Sequence, residues 1–313
     1  MNNLQAWIDT TPYKGYTLSV ASADASFRSY YRLKSAHDSF ILMDSSLEKE
    51  SLPPFLDITQ RLLNAAVKAP HILEQNIELG YLILEDFGDT HLLKILHENN
   101  FKELYKKAID EILKMQKANT SGLPLYDKEF LHFEMDLMQE WYLEQLLRLR
   151  LSQTQQKMLD QTLNSISDVV LSQPQGLFVH RDYHSRNIML TTNTNIGVID
   201  YQDAMNGTIT YDLVSLLKDC YIFFDTKEIE KLALYFRDKK QIKVSDETFL
   251  KWFDFMGLQR HIKVLGVFSR LSLRDKKDVY LKDIPLTLEY VIQTALRYEE
   301  TKALGEFLQE VTQ

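Results

Sequence analysis

The first ninety residues carry short apolar, β-like runs bounded by small and polar residues, and the pattern predicts strands. Residues 16–20 and 28–33 read as two short strands. They flank the small, polar run Ala21-Ser22-Ala23-Asp24-Ala25-Ser26, so the three segments make a hairpin. The run Ser-Phe-Ile-Leu-Met-Asp at 39–44 is a third strand, and 71–74 and 79–84 are two more. Between them, residues 56–67 carry Leu56, Ile58, Leu62, Leu63 and Ala66 at helical spacing. The segment Glu85-Asp86-Phe87-Gly88-Asp89 is a turn by composition.

Beyond Thr90 the character changes. Residues 92–97, 101–116, 130–149 and 154–171 have helical spacing, and Ser152-Gln153-Thr154-Gln155 is a capping signal at the head of the last. Three short β-type runs, 177–179, 188–191 and 196–199, interrupt the helices, which resume from Tyr211 to the end. Strands first and helices later predict an α+β chain with segregated layers. A boundary follows Asp86: residues 1–86 form a small β-rich lobe and 87–313 a large helical one.

Composition adds limits. The chain has 313 residues, 45% hydrophobic and 26% charged, the profile of a soluble globular protein. Its net charge is −8, which gives no general attraction to nucleic acid or anionic membranes. Any anionic ligand therefore depends on local basic groups. The single cysteine, Cys220, lies in an apolar run and reads as a buried small hydrophobe. No signal-peptide pattern opens the chain, and no apolar stretch approaches the ~20 residues of a membrane span. These features predict a cytoplasmic protein; a monomer is expected, with no nucleic-acid or membrane partner.

The chemistry is concentrated in Val179-His180-Arg181-Asp182-Tyr183-His184-Ser185-Arg186-Asn187-Ile188-Met189-Leu190. His-Arg-Asp is followed by four residues and then Asn, with apolar strand-like residues on both sides. Phosphoryl transfer needs a group to take the acceptor's proton, and a carboxylate such as Asp182 can do so. It also needs Mg²⁺ held by oxygen ligands. Asn187 is one candidate. Asp200, at the end of the apolar run Ile196-Gly197-Val198-Ile199 and thirteen residues past Asn187, is the other. His180 reads as a buried, backbone-bonded histidine, whereas His184 and Arg186 lie in the loop within reach of substrate or phosphate.

With these residues the sequence resembles the aminoglycoside phosphotransferase and choline kinase superfamily. The carriers are 179–190, Ile199-Asp200-Tyr201-Gln202-Asp203 and Gly207 with Tyr211-Asp212-Leu213-Val214-Ser215-Leu216-Leu217. The hairpin Asp24–Leu33, Met43-Asp44, 82–89, Glu140-Trp141-Tyr142 and 263–271 narrow the likeness. They resemble the bacterial anomeric kinases of N-acetylmuramate and N-acetylglucosamine that serve peptidoglycan recycling. The resemblance implies a protein-kinase-like two-lobed fold, with ATP and Mg²⁺ as cofactors and a small sugar as substrate. Asp182 would be the base, and Asn187 and Asp200 the metal ligands. The tip Ala23, Asp24, Ala25, Ser26 and Phe27 would cover the phosphates. Glu85, Asp86 and Phe87 would lie against the adenine.

Two features depart from that pattern. The phosphate-covering tip has no glycine, so backbone approach to phosphate is looser. The third strand carries Met43 where most kinases have a lysine, and Met43 reads as a buried strand side chain. Arg28, Arg32 and Lys49 are the candidate replacements. Arg28 and Arg32 are four apart on one predicted strand and so share a face. For the acceptor, Trp141, Tyr142, His184 and Tyr201 are candidates, and Arg260, Lys263 and Arg270 could meet a sugar carboxylate. Two other functions fit part of this pattern: an aminoglycoside- or choline-type kinase, and an inactive nucleotide-binding scaffold suggested by Met43.

Overall fold

The computed structural model describes residues 2–22, 28–191 and 195–312. In chain order the elements begin with α1 (Asn2–Ile8), β1 (Thr17–Ser22), β2 (Ser29–Lys34), β3 (Ser39–Asp44), α2 (Leu52–Asn64), β4 (Ile72–Asn76) and β5 (Tyr81–Glu85). Next come α3 (Phe101–Met115), α4 (Lys128–Leu137), a π-helical segment (Met138–Leu146), α5 (Gln153–Ser172), β6 (Leu177–Val179), β7 (Ile188–Leu190), β8 (Ile196–Val198) and β9 (Met205–Gly207). The chain ends with α6 (Tyr211–Leu217), α7 (Thr226–Lys240), α8 (Asp246–Leu273), α9 (Ile284–Ala295) and α10 (Lys302–Val311). None of the described helices is long and apolar enough to cross a membrane.

Contacts divide the chain into two units. The first is Met1–Lys94 with Arg186–Asp203, and the second is Ile95–Ser185 with Ala204–Gln313. Residues 186–203, which the sequence places within 87–313, thus belong by contact with the N-terminal segment.

In the first unit five antiparallel strands run in the order β1-β2-β3-β5-β4. The alternation of side chains along each strand explains the layering. Leu33, Leu42 and Ile83 lie on one face and are fully buried against Leu4, Trp7 and Ile8 of α1, a helix too short to show in the sequence. Arg32, paired across the sheet with Ile41, and Tyr30, paired with Met43, lie on the other face. Met43 is fully buried, as expected. Helix α2 starts four residues before the predicted position, because Pro53 and Pro54 occupy its first turn, where their missing N–H groups cost nothing. Arg28 lies just outside β2 and not on it.

The second unit is helical, with the strand pair β6-β9. Its centre is α8, 28 residues long, against which α4, α5, α6, α7 and α9 pack. The predicted helix at 130–149 is in fact α4 followed by the π-helical segment. Gly266 of α8 meets this junction backbone to backbone: a Cβ there would lie 2.3 Å from the Leu137 carbonyl carbon. The capping box of Ser152 and Gln155 forms as the sequence predicts. The predicted helix at 92–97 is only a short 3-10 turn, Leu92–Lys94.

Candidate active site

In the second unit, β6 leads into His180-Arg181-Asp182, and Asp212 in the first turn of α6 holds that loop. Its buried carboxylate accepts the backbone N–H of His180 at 2.8 Å and of Arg181 at 3.1 Å. Burial pushes the Asp212 carboxyl up to about 6, against the pull of these two bonds. Arg181 adopts a left-handed backbone, φ 77°, which costs a non-glycine residue about 1–2 kcal/mol. Several contacts fix it there. Ser215 Oγ donates to its carbonyl at 3.2 Å, and its Nη2 donates to Glu134 at 2.6 Å. Its guanidinium also lies over Phe130. Strain held by this many contacts is typical of functional loops. His180 is fully buried, and its Nδ1 accepts the Asp182 N–H at 3.2 Å, the backbone role expected of it.

Burial alone would raise the Asp182 carboxyl. The charges of Lys263, His184, Arg260 and Arg181 outweigh it and hold the group down at about 2. The side chain is therefore a carboxylate across the physiological range. Behind these cations stands Glu134, 3% exposed, which sequence reading did not single out. It accepts from Arg181, from Lys263 Nζ at 2.9 Å, from Gln259 Nε2 at 3.1 Å and from the Tyr126 hydroxyl. Burial opposes its charge, yet Lys263 and Arg181 keep it at about 2. The available signal was a lone glutamate within the apolar helical stretch Leu131–Met135. His184 is pushed down by burial and is neutral near pH 7, with its ring edge-on to Tyr221.

In the first unit, β7 and β8 pair so that Ile188 faces Val198, and the ends of this hairpin bring Asn187 and Asp200 together. Asn187 Nδ2 donates to Asp200 Oδ2 at 3.0 Å, and Gln202 Nε2 donates to Oδ1 at 3.1 Å. Asp200 is exposed and left-handed, φ 64°. Among the described residues no group of three or more His, Cys, Asp or Glu could hold a metal. An amide oxygen and a carboxylate are hard donors that suit Mg²⁺, which keeps most of its shell for phosphate and water.

The same unit holds a cavity of about 510 Å³ beside the end of β5. Glu85, Asp86 and Phe87, all predicted, line it, together with Arg32, Ser39 and Lys68. Arg32 Nε donates to Asp86 at 2.7 Å and its Nη1 to Asp89 at 2.8 Å. Lys68 pairs with Glu85 and lies 5.2 Å from the Phe87 ring centre. Gly197 permits the close approach of Phe87, since a Cβ there would lie 2.7 Å from the ring.

The remaining predicted residues separate. Ala23, Asp24, Ala25, Ser26 and Phe27 lie outside the described residues. Arg32 lines the cavity and is paired with two carboxylates, Asp86 and Asp89. Exposed Lys49 donates to the Glu78 carbonyl at 2.6 Å. Arg28 is buried, bonded to Ser51 Oγ at 3.2 Å and set over Phe55. Tyr201 is fully buried, stacked on Phe55 and bonded to Thr59, so its ring is not a sugar platform. Tyr142, 3% exposed, is likewise packed in the interior, while Trp141 is half-buried. Arg260 and Lys263 join Asp182 electrostatically, and Arg270 lies further along α8.

A strand-rich N-terminal unit, a helical C-terminal region and an Asp-bearing loop after β6 define a protein-kinase-like phosphotransferase fold. The aminoglycoside phosphotransferase APH(2'')-Ib, solved with ADP bound, matches 93% of this chain and 98% of its own, with a TM-score of 0.61 at 15% identity. A spectinomycin phosphotransferase, solved in complex with ADP and spectinomycin, matches 99% and 98%, with a TM-score of 0.62 at 12% identity. The model of the phosphotransferase enzyme family matches residues 17–244, and the chain belongs to that family. Two relatives resemble it almost end to end, and both are named N-acetylmuramate/N-acetylglucosamine kinase. The Neisseria meningitidis protein is 37% identical over 98% of this chain and 95% of its own. The Pseudomonas aeruginosa protein is 36% identical over 99% and 92%.

Proposed function

We propose that this protein is an ATP- and Mg²⁺-dependent kinase that phosphorylates the anomeric hydroxyl of N-acetylmuramate and N-acetylglucosamine. The observation that carries this reading is the 37% identity, over nearly the whole chain, to a kinase named for these two sugars. The geometry agrees with it. Asp182 is ionised near neutral pH, the form that accepts the proton of a sugar hydroxyl, and the surrounding cations hold it ionised at the expense of basicity. The anomeric hydroxyl is more acidic than an ordinary alcohol, which eases that transfer. Its oxygen then bonds to the γ-phosphorus, the bond to the β-phosphate oxygen breaks, ADP leaves, and the proton rests on Asp182. In this reading the cavity beside Glu85, Asp86 and Phe87 takes the base of the nucleotide.

Asn187 and Asp200 would hold Mg²⁺, which when bound offsets the charge of the phosphates. Asp200→Ala is expected to weaken Mg²⁺-dependent ATP binding by about tenfold or more, since a hydrogen-bonded or metal-bound charge is worth upwards of about 1.5 kcal/mol. Calorimetric titration with and without Mg²⁺ reads this directly. Unchanged affinity in Mg²⁺ removes Asp200 from the metal site.

The function itself is tested by ATP consumption with N-acetyl sugars, aminoglycosides and choline, followed by ³¹P NMR of the product. A sugar 1-phosphate is expected, and methyl glycosides, whose C1 hydroxyl is blocked, are expected not to react. Phosphorylation of a methyl glycoside refutes anomeric transfer. Inactivity on both sugars together with turnover of an aminoglycoside or choline moves the protein to a different substrate class.

A further inference from the structure

Arg260, on α8, is 4% exposed. Its Nε donates to Ser215 Oγ at 2.5 Å and its Nη1 to Cys220 Sγ at 3.6 Å. Both partners are neutral. Among the described residues no carboxylate forms an ion pair with it, and Nη2 has no hydrogen-bond partner. Burial of a charge is costly unless a counter-charge meets it, and a guanidinium has five donors to satisfy.

The neighbouring cations differ in this respect. Lys263 is held by Glu134 and the Tyr211 hydroxyl, Arg181 by Glu134, and Lys218 by Asp254 at 2.7 Å. The nearby Asp219 carboxylate is occupied by the Ser185 N–H and hydroxyl and by the Tyr221 N–H. Arg260 is nevertheless coupled to the Asp182 loop. Ser215, its hydrogen-bond partner, donates to the carbonyl of Arg181, the residue before Asp182. Burial works against its charge, and among the groups ionised at neutral pH the carboxylates of Asp182 and Asp219 favour it. With Nε and one Nη1 hydrogen engaged, one Nη1 and two Nη2 hydrogens remain, enough for a two-pronged bond to a carboxylate. Arg270 also lacks a hydrogen-bond partner among the described residues. It lies ten residues further along α8, however, about 15 Å along the axis at the usual helical rise. A carboxylate on the ring whose anomeric oxygen meets Asp182 does not extend that far.

We propose that Arg260 is the specificity residue of this enzyme: it binds the lactyl carboxylate of N-acetylmuramate and so favours the acidic sugar over neutral N-acetylglucosamine. This rests on the function proposed above. The carboxylate meets guanidinium donors that no carboxylate of the fold engages directly, which ties substrate choice to a residue coupled to the base through Ser215 and through charge.

The test is a cycle of enzyme against substrate. Wild type, Arg260→Gln and Arg260→Lys are assayed with N-acetylmuramate, its methyl ester and N-acetylglucosamine. In wild type, kcat/KM for the acid is expected to exceed that for the ester by about tenfold to a hundredfold, the worth of a charged hydrogen bond. Arg260→Gln is expected to remove that difference, mainly through KM for the acid, and Arg260→Lys to keep part of it. Equal use of acid and ester by wild type overturns the assignment without any variant. So does a Gln variant that keeps the acid-to-ester ratio, or one that loses all three substrates equally. Wild type inactive on both sugars overturns the proposed function, and the Arg260 assignment with it.

Discussion

Asp182→Asn is expected to lower kcat by about 10²–10⁴-fold, the usual contribution of a positioned base, and to leave ATP affinity essentially unchanged. The substitution keeps the shape of the side chain and removes its capacity to take a proton. The adenine and phosphate ligands proposed here lie on other residues, so the loss is confined to turnover. The pH dependence follows from the carboxyl's depression from 3.8 to about 2. A group with a lowered folded pKa is fully ionised above its ordinary value. Protonation of Asp182 therefore does not reduce kcat/KM between pH 8 and 5. Its contribution to stability is present above the unfolded value and disappears as the pH falls toward 2. Steady-state kinetics with calorimetric ATP titration measure both halves of the prediction. A variant that keeps more than about a tenth of wild-type turnover is inconsistent with a base at this position.

Glu134→Gln is expected to destabilise the protein by about 3–5 kcal/mol, the cost of breaking a buried charge cluster from one side. One carboxylate, 3% exposed, accepts from Arg181, Lys263, Gln259 and Tyr126. Its loss leaves two buried cations facing a neutral amide. Linkage gives a similar figure: a fall from 4.5 to about 2 corresponds to about 3 kcal/mol. The sign is that of a depressed carboxyl. The stabilisation is complete above pH 4.5 and vanishes as the pH falls to about 2, so the variant's deficit is largest near neutrality and shrinks in acid. Turnover is also expected to fall, because Arg181 and Lys263 both act on Asp182. Urea denaturation at pH 7 and pH 4 checks the effect and its direction. A deficit below about 1 kcal/mol at pH 7 rules out Glu134 as the anchor of the cluster.

Wherever the information was local, the sequence determined the outcome. Short apolar runs bounded by polar residues located the strands of the sheet, including Ser39–Asp44 to the residue, because a buried strand needs only a few consecutive apolar side chains. The cap at Ser152 was legible because it involves only four consecutive residues. The proximity of Asn187 to Asp200, and the loop after β6 that carries Asp182, were legible because one short stretch holds them all. Elements too short to have a period, α1 and β9, were not. The π-helical segment and the close contact of Gly266 were missed because both depend on how α8 meets the backbone at Leu137.

Only the tertiary structure decided what each charge does. Arg32 reads as a phosphate ligand by strand position, and the fold pairs it with Asp86 and Asp89, more than fifty residues away. Tyr201 reads as a sugar platform, yet Phe55 and Thr59 enclose it. Glu134 looks like an ordinary helix residue, and it anchors Arg181 and Lys263 only because the fold brings them from distant segments. Propensity and periodicity are properties of neighbours along the chain. The pairing of a buried charge, and the backbone strain held at Arg181, depend on which distant groups close around it once the chain has folded.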